Sequence, residues 1–185
     1  MALTVTVGKH PYQDGTSGYR AELEEIAGLL AKDGITWAPP DAEVGTLFHG
    51  DLPYSFVHYL RRVFALHDNG LPVTPAAGQG DLDSARPQVI RTTEMLDSHL
   101  LCHSDYDGYY VPVDLDEPLP RVASAVHLMA ELVAIAPLIG IRLGADGSPP
   151  RPDEDDDYAT ERETWLVLHD ACRASLDSGH PIVFS

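Results

Sequence analysis

The sequence predicts an α+β fold, with about four helices packed on a small, mostly antiparallel sheet that has a central hairpin. Three observations predict it. Apolar residues recur at three- and four-residue spacing in four segments, the mark of helices with one buried face. Short apolar runs of strand type stand at both ends of the chain and near its middle. Helices and strands do not alternate regularly, as a βαβ series would require. With 185 residues and no internal repeat, the chain fits one domain over 1–185.

ALTVTVG (2–8) sets Leu3, Val5 and Val7 against small polar neighbours, the period of a strand. The turn-rich 9–18 follows. YRAELEEIAGLLAKDG (19–34) carries Leu23, Ile26, Leu29 and Leu30 on one helical face, with Gly34 as its stop. Residues 35–50 read as irregular, because Pro39 and Pro40 interrupt any regular element. LPYSFVHYLRRVFALHDNG (52–70) is the second helix. Phe56, Tyr59, Leu60, Val63 and Phe64 form its stripe, Pro53 suits its first turn and Asn69-Gly70 closes it.

Residues 71–84 read as a mobile loop by composition, and 86–103 begin as helix or strand and end apolar. YYVPVDL reads as strand. Pro118 and Pro120 open a third helix, RVASAVHLMAELVAIA, which Pro137 and Gly140 end. GADGSPPRPDEDDD (144–157) is a second loop expected to be mobile. TERETWLVLHDACRASLDSG (160–179) is the fourth helix, with Trp165, Leu168, Ala171, Cys172 and Leu176 on its apolar face. The acidic run before it lies where the helix dipole favours negative charge. PIVFS (181–185) is a terminal strand.

Charge narrows the function. Twelve Lys plus Arg stand against 29 Asp plus Glu, a formal net charge of −17. Binding to a phosphate backbone or an anionic lipid surface depends on cations, so neither nucleic acid nor membrane is expected as a partner. A basic protein is, because the acidic field would steer it. The N-terminus lacks a basic leader followed by a long apolar stretch. The most apolar segment, 125–141, contains His127, Glu131 and Pro137 and is too short for a bilayer. The chain is therefore expected to be cytoplasmic, with Cys102 and Cys172 as free thiols.

No G-x-S-x-G, P-loop or G-x-G-x-x-G occurs, and no catalytic residue is assigned. CHSDYDGYYVPVDLDE (102–117) is the stretch richest in chemistry. Asp107-Gly108 between apolar runs 100–104 and 109–113 predicts a tight hairpin, with the aspartates as solvated turn residues. Its alternative is a metal loop. An EF-hand reading places His103, Asp105, Asp107, Gly108 and Asp114 at positions one, three, five, six and twelve. It puts His where Asp belongs and Asp where the bidentate Glu belongs. His99 and His103, four apart, would share a helical face as in zinc pairs, but H-E-x-x-H is absent. On a strand, His103 and Asp105 would share a face and chelate with Asp107. The metal candidates are thus His99, His103, Asp105 and Asp107, with His127 or Glu131 as further partners; otherwise no cofactor is expected. The His127–Glu131 pair also suits general acid–base work, or simply an i, i+4 contact.

Cys102 cannot act with His103 on a strand, where neighbours point to opposite faces. Tyr106, Tyr109 and Tyr110 crowd the predicted hairpin tip beside Asp105 and Asp107, and Tyr with Asp makes a good recognition surface. Strand alternation would leave at least one of Tyr109 and Tyr110 exposed.

HSDYDGYYVPVD, with LPYSFVHYLRRVFALH upstream and GHPIVFS at the end, resembles a family of small bacterial α+β proteins that carry an HSD-x-DGYY segment after an apolar strand. The resemblance implies a cytosolic single domain and carries no activity. Membership among toxin-neutralising immunity proteins would fit the acidity by analogy alone.

These readings lead to an acidic binding protein, immunity-like, that neutralises a basic partner. Its surface would be 103–110, with Asp105, Tyr106, Asp107, Tyr109 and Tyr110, together with acidic residues 153–157. The alternative is a metal-dependent hydrolase built on the His/Asp cluster at 99–107. A third reading is nucleic-acid mimicry, which requires carboxylates spaced like phosphates along one face.

Overall fold

The computed structural model describes residues 2–11, 16–95, 98–102, 108–149 and 157–185. Five strands form one sheet: β1 (Ala2–Gly8), β2 (Thr46–Pro53), β3 (Gly108–Val111), β4 (Val122–Ser124) and β5 (Ile182–Phe184), in the order β2-β1-β5-β3-β4. The β1–β2, β1–β5 and β3–β5 pairs are antiparallel, and β3–β4 is parallel. Five α-helices join them: α1 (Ser17–Lys32), α2 (Phe56–Asp68), α3 (Gln79–Glu94), α4 (Ala125–Ile135) and α5 (Ala159–Ser178). A 3-10 turn, Ala136–Ile139, follows α4. The α+β class and the mostly antiparallel sheet are as the sequence predicts.

The sheet is covered on both faces. Leu3, Val5, Val7, Tyr110, Ile182 and Phe184 face a core closed by α2, α4 and α5. Tyr109, Val111, Val122 and the half-buried Val183 face the other way, against Ile26 and Leu30 of α1. Successive strand residues point to opposite faces, so β3 and β5 supply both cores from alternate positions. Burying four apolar residues in a row on β3 is the signature of a strand covered on both sides.

Five expectations change. The predicted central hairpin is absent: 98–102 form a turn, and β3 pairs with β5 and β4 instead. Residues 46–53, read as irregular or as helix start, form the edge strand β2, which owes its existence to a long register with β1. Residues 79–84, read as loop, begin α3, which runs through Pro87 and packs on α2. That packing buries α2 on nearly all sides from Leu60 to Leu66, and a helix buried all round needs a second helix outside it. The third predicted helix is β4 followed by α4, capped by the Ser124 hydroxyl, which accepts the His127 N–H (3.2 Å). On α5 the apolar face includes Trp165, Leu168, Ala171 and Cys172 as expected, whereas Leu176 is exposed.

Two anchors tie α5 to the rest. The Trp165 indole donates to the Leu132 carbonyl (2.7 Å), and Arg162 Nε donates to the Ile139 carbonyl (2.6 Å). Gly140 closes the 3-10 turn at φ 72°, and a Cβ there would overlap the Arg162 guanidinium. Gly140→Ala is therefore expected to lower stability by about 2 kcal/mol, from left-handed strain plus displacement of Arg162. Gly28 lies inside α1 with nothing within 4 Å of its added Cβ, so Gly28→Ala should raise stability by about 0.5–1 kcal/mol. Urea midpoints of the two variants check both signs.

Candidate functional site

Two features of the molecule bear on function: a polar corner beneath β3, and the distribution of surface carboxylates.

The corner forms where the turn at 98–102 meets α4 and β4. The Glu131 carboxylate, largely buried, accepts from the Ser98 hydroxyl (3.0 Å), the His99 N–H (2.7 Å) and the Leu100 N–H (2.9 Å). Burial pushes its pKa up, and these three donors pull it back. The His99 carbonyl accepts from the Tyr110 hydroxyl (2.8 Å) and the Cys102 thiol (3.1 Å). The His99 ring, 3% exposed, accepts the Ser124 N–H on Nδ1 (2.9 Å). A backbone N–H can only donate, so Nδ1 carries no proton and the ring is the neutral Nε2–H tautomer. Its Nε2 has no well-aligned partner among the described residues. Burial lowers the His99 pKa to about 4, with the neighbouring His127 adding to the effect; the backbone at Asp116 and Leu115 and the Asp114 carboxylate oppose it. His127 stacks on His99 (centroids 4.8 Å apart) and points Nε2 at Asp114 Oδ1 (2.7 Å).

The structure thus brings together His99, His127 and Glu131, three of the residues singled out as metal or acid–base candidates, but in other roles. Glu131 binds backbone donors, His99 Nδ1 is occupied, and His127 is turned to Asp114 rather than Glu131. Among the described residues no group of three or more His, Cys, Asp or Glu side chains is arranged to hold a metal ion. His103, Asp105, Tyr106 and Asp107 lie outside the described residues. Tyr109 and Tyr110 are 6% and 1% exposed, which corrects the expectation that one of them is available. Alternation does send them to opposite faces, but both faces are covered. Cys102 is half-buried, and its pKa is pushed up to about 12 by burial; Cys172 is fully buried and raised further, so neither thiol is activated.

The carboxylates on the surface are mostly dispersed. Glu25 pairs with Arg121 (2.7 Å) and Glu43 with Arg20 (3.4 Å), while Asp51 faces His49 (3.1 Å). One ordered row stands out on α5. Glu163, Asp170 and Asp177 are all exposed and seven residues apart. Seven residues advance a helix by about 10.5 Å with a drift of only ~20°, so the three carboxylates line one ridge. That ridge lies opposite Trp165, Leu168 and Cys172, on the side of α5 most remote from the core. Glu163 and Asp177 form no ion pair among the described residues, and Asp170 touches only His169 at 3.5 Å. Arg173, exposed between Asp170 and Asp177, is the cation nearest in sequence to both. Asp157, also exposed, precedes the helix. The signal of this row in the sequence is an i, i+7, i+14 acidic repeat opposite the apolar stripe.

The His99 geometry generates a pH test. Its lowered pKa means the unfolded chain takes up a proton that the folded chain refuses. The stability this contributes is complete above about pH 6.5 and is lost as pH falls toward 4. His99→Asn keeps an acceptor for the Ser124 N–H without a titrating ring. Urea midpoints across pH 4–7 should therefore fall less steeply for this variant than for the parent chain. His169 and His180 are also lowered by burial, so the difference between the two curves isolates His99.

No helix among the described residues is long and apolar enough to cross a membrane. No curated protein and no solved structure matches the chain. The sequence model of one protein family, described as "Putative DNA-mimic protein", matches residues 1–184. The match carries neither an immunity function nor a metal-dependent hydrolase, and its description accords with the acidity of the chain. The chain belongs to this DNA-mimic family.

Proposed function

We propose that this protein occupies the DNA-binding surface of a basic protein, presenting carboxylates where that surface expects phosphates. The observation that carries the reading is the ridge of Glu163, Asp170 and Asp177 in a chain of net charge −17 that belongs to a DNA-mimic family. A step of about 10.5 Å along α5 is close to three base-pair rises of about 3.4 Å, so the ridge can meet every third position of a phosphate-binding groove. Rigid placement matters as much as charge. A helix anchored through Trp165 and Arg162 holds its carboxylates without the ordering cost of a flexible acidic tail. The partner is then a basic DNA-binding protein, and the neutralisation read from the sequence is competition for its DNA site.

Asp157, just before the helix, adds to the acidic field at its N-terminal end, and Asp105 and Asp107 add to the acidity of the chain by charge. Tyr109 and Tyr110 have no place in this surface, because they serve the two cores.

The test is competition for DNA. A labelled duplex is bound in turn by each DNA-binding protein encoded in the same genome, and this chain is titrated in. At least one protein should release its duplex, and release should weaken as salt rises. Combining Glu163→Gln, Asp170→Asn and Asp177→Asn should weaken competition about tenfold, from several rim charge pairs of ~0.2–1 kcal/mol each. Failure to displace DNA from any of them would overturn the reading, and an unaffected triple variant would remove α5 as its surface. Asp105→Asn with Asp107→Asn should also weaken competition at low salt; no change would exclude those residues from the contact.

A further inference from the structure

In so acidic a chain, three of the ten arginines line a single cavity. Arg61, Arg62 and Arg86 border an open-mouthed space of about 400 Å³ between α2 and α3. The apolar part of its wall comes from Leu82, Val89, Ile90 and Leu101. Asp83 is the one carboxylate in the lining among the described residues, and it is exposed and accepts a hydrogen bond from the Gln79 amide (3.0 Å).

Arg62 is the informative residue. It is 6% exposed, and burying a guanidinium is costly unless it is paired and hydrogen-bonded. Its Nη1 and Nη2 donate to the carbonyl (2.6 Å) and hydroxyl (3.1 Å) of Thr74, both neutral acceptors. Its Nε is buried with no partner, and it forms no ion pair among the described residues. Arg86, exposed at the cavity wall, likewise forms no ion pair among the described residues. Arg61 is already engaged, donating to the Leu100 carbonyl (3.3 Å), and is counted neither as a spare donor nor as spare charge. Among the described residues the lining therefore sets Arg62 and Arg86, neither in an ion pair, against one exposed carboxylate, beside an apolar wall. Its volume falls in the usual range for small-ligand sites.

We propose that the α2–α3 cavity binds a small organic monocarboxylate. Its head group would pair with Arg62 and Arg86, and its apolar body would lie against Leu82, Val89 and Ile90. Guanidinium groups match carboxylate geometry, and a desolvated pair of this kind is stronger than a surface one. The apolar wall argues against bare phosphate, which would leave half the lining unused. The overall field of the protein argues against multiply charged anions, whose repulsion grows with their charge, and favours a monoanion. This site is independent of the α5 ridge and of the DNA-competition reading: it uses the cations of the molecule, not its carboxylates.

The experiment is calorimetric titration of the full chain with octanoate and, separately, with inorganic phosphate. Saturable octanoate binding at one per chain is expected, with phosphate at least about tenfold weaker because it cannot use the apolar wall. Arg86→Gln, at an exposed position that folding does not require, should weaken octanoate about tenfold, the scale of one lost charged hydrogen bond. Ile90→Glu, also exposed, should weaken it by placing a like charge on the wall. No saturable octanoate binding would overturn the proposal. So would phosphate binding as tight as octanoate, or affinities unchanged in both variants.

Discussion

The Glu131 carboxylate is the interaction on which the middle of this fold depends. It gathers the Ser98 hydroxyl and the backbone N–H groups of His99 and Leu100 onto α4. Desolvating a carboxylate costs several kcal/mol, and three charge-assisted hydrogen bonds of about 1.5–3 kcal/mol each offset that cost. The consequence is topological. Backbone donors at 99 and 100 are taken by a side chain, so this segment does not form a strand beside β3. The place beside β3 goes to β5 and β4 instead. The same turn then presents the His99 carbonyl to Tyr110 and the His99 ring to Ser124, which stitches α4, β4 and β3 into one corner.

Charge in this molecule is sorted by depth. Inside, histidines are kept neutral: His99 by the Ser124 N–H, and His180 at a Tyr19 hydroxyl 2.7 Å from its Nδ1. Burial lowers their pKa values, so neither supplies positive charge to offset the acidic exterior. Several cations are withdrawn as well. Arg61 and Arg62 are buried and Arg162 is spent on a carbonyl. Arg121 is held by Glu25 while its guanidinium lies over the Tyr109 ring. The exterior that remains is more acidic than composition alone would suggest. Self-repulsion of such a surface weakens the compact state, and the doubly covered sheet supplies the apolar burial that withstands it.

The elements legible in the sequence are those with their own apolar periodicity. β1, α1, α2, α5 and β5 fall where the spacing puts them, because each buries a stripe or face that a linear pattern can display. β2 carries Gly50, Asp51 and Pro53, poor strand formers, and exists through pairing with β1. α3 contains Gly80 and Pro87 and little apolar pattern, and it exists through packing on α2. The candidate corner was half legible. His99, His127 and Glu131 stood out as residue types, yet their spacing suggested ligands or acid–base partners, while long-range backbone donors gave them structural work. The α5 ridge is written in the sequence as a seven-residue repeat, and the structure places it on the outward side of the helix.

By itself, then, the sequence determined the α+β class, the acidic exterior and the positions of the strongly periodic elements. Each of these follows from local spacing or from a sum over residues. The tertiary structure alone decided which strands pair, whether Tyr109 and Tyr110 reach solvent, what Glu131 binds and where the arginines gather. Those depend on groups distant in sequence competing for the same hydrogen bonds and the same buried surface, and no local pattern records the outcome of that competition.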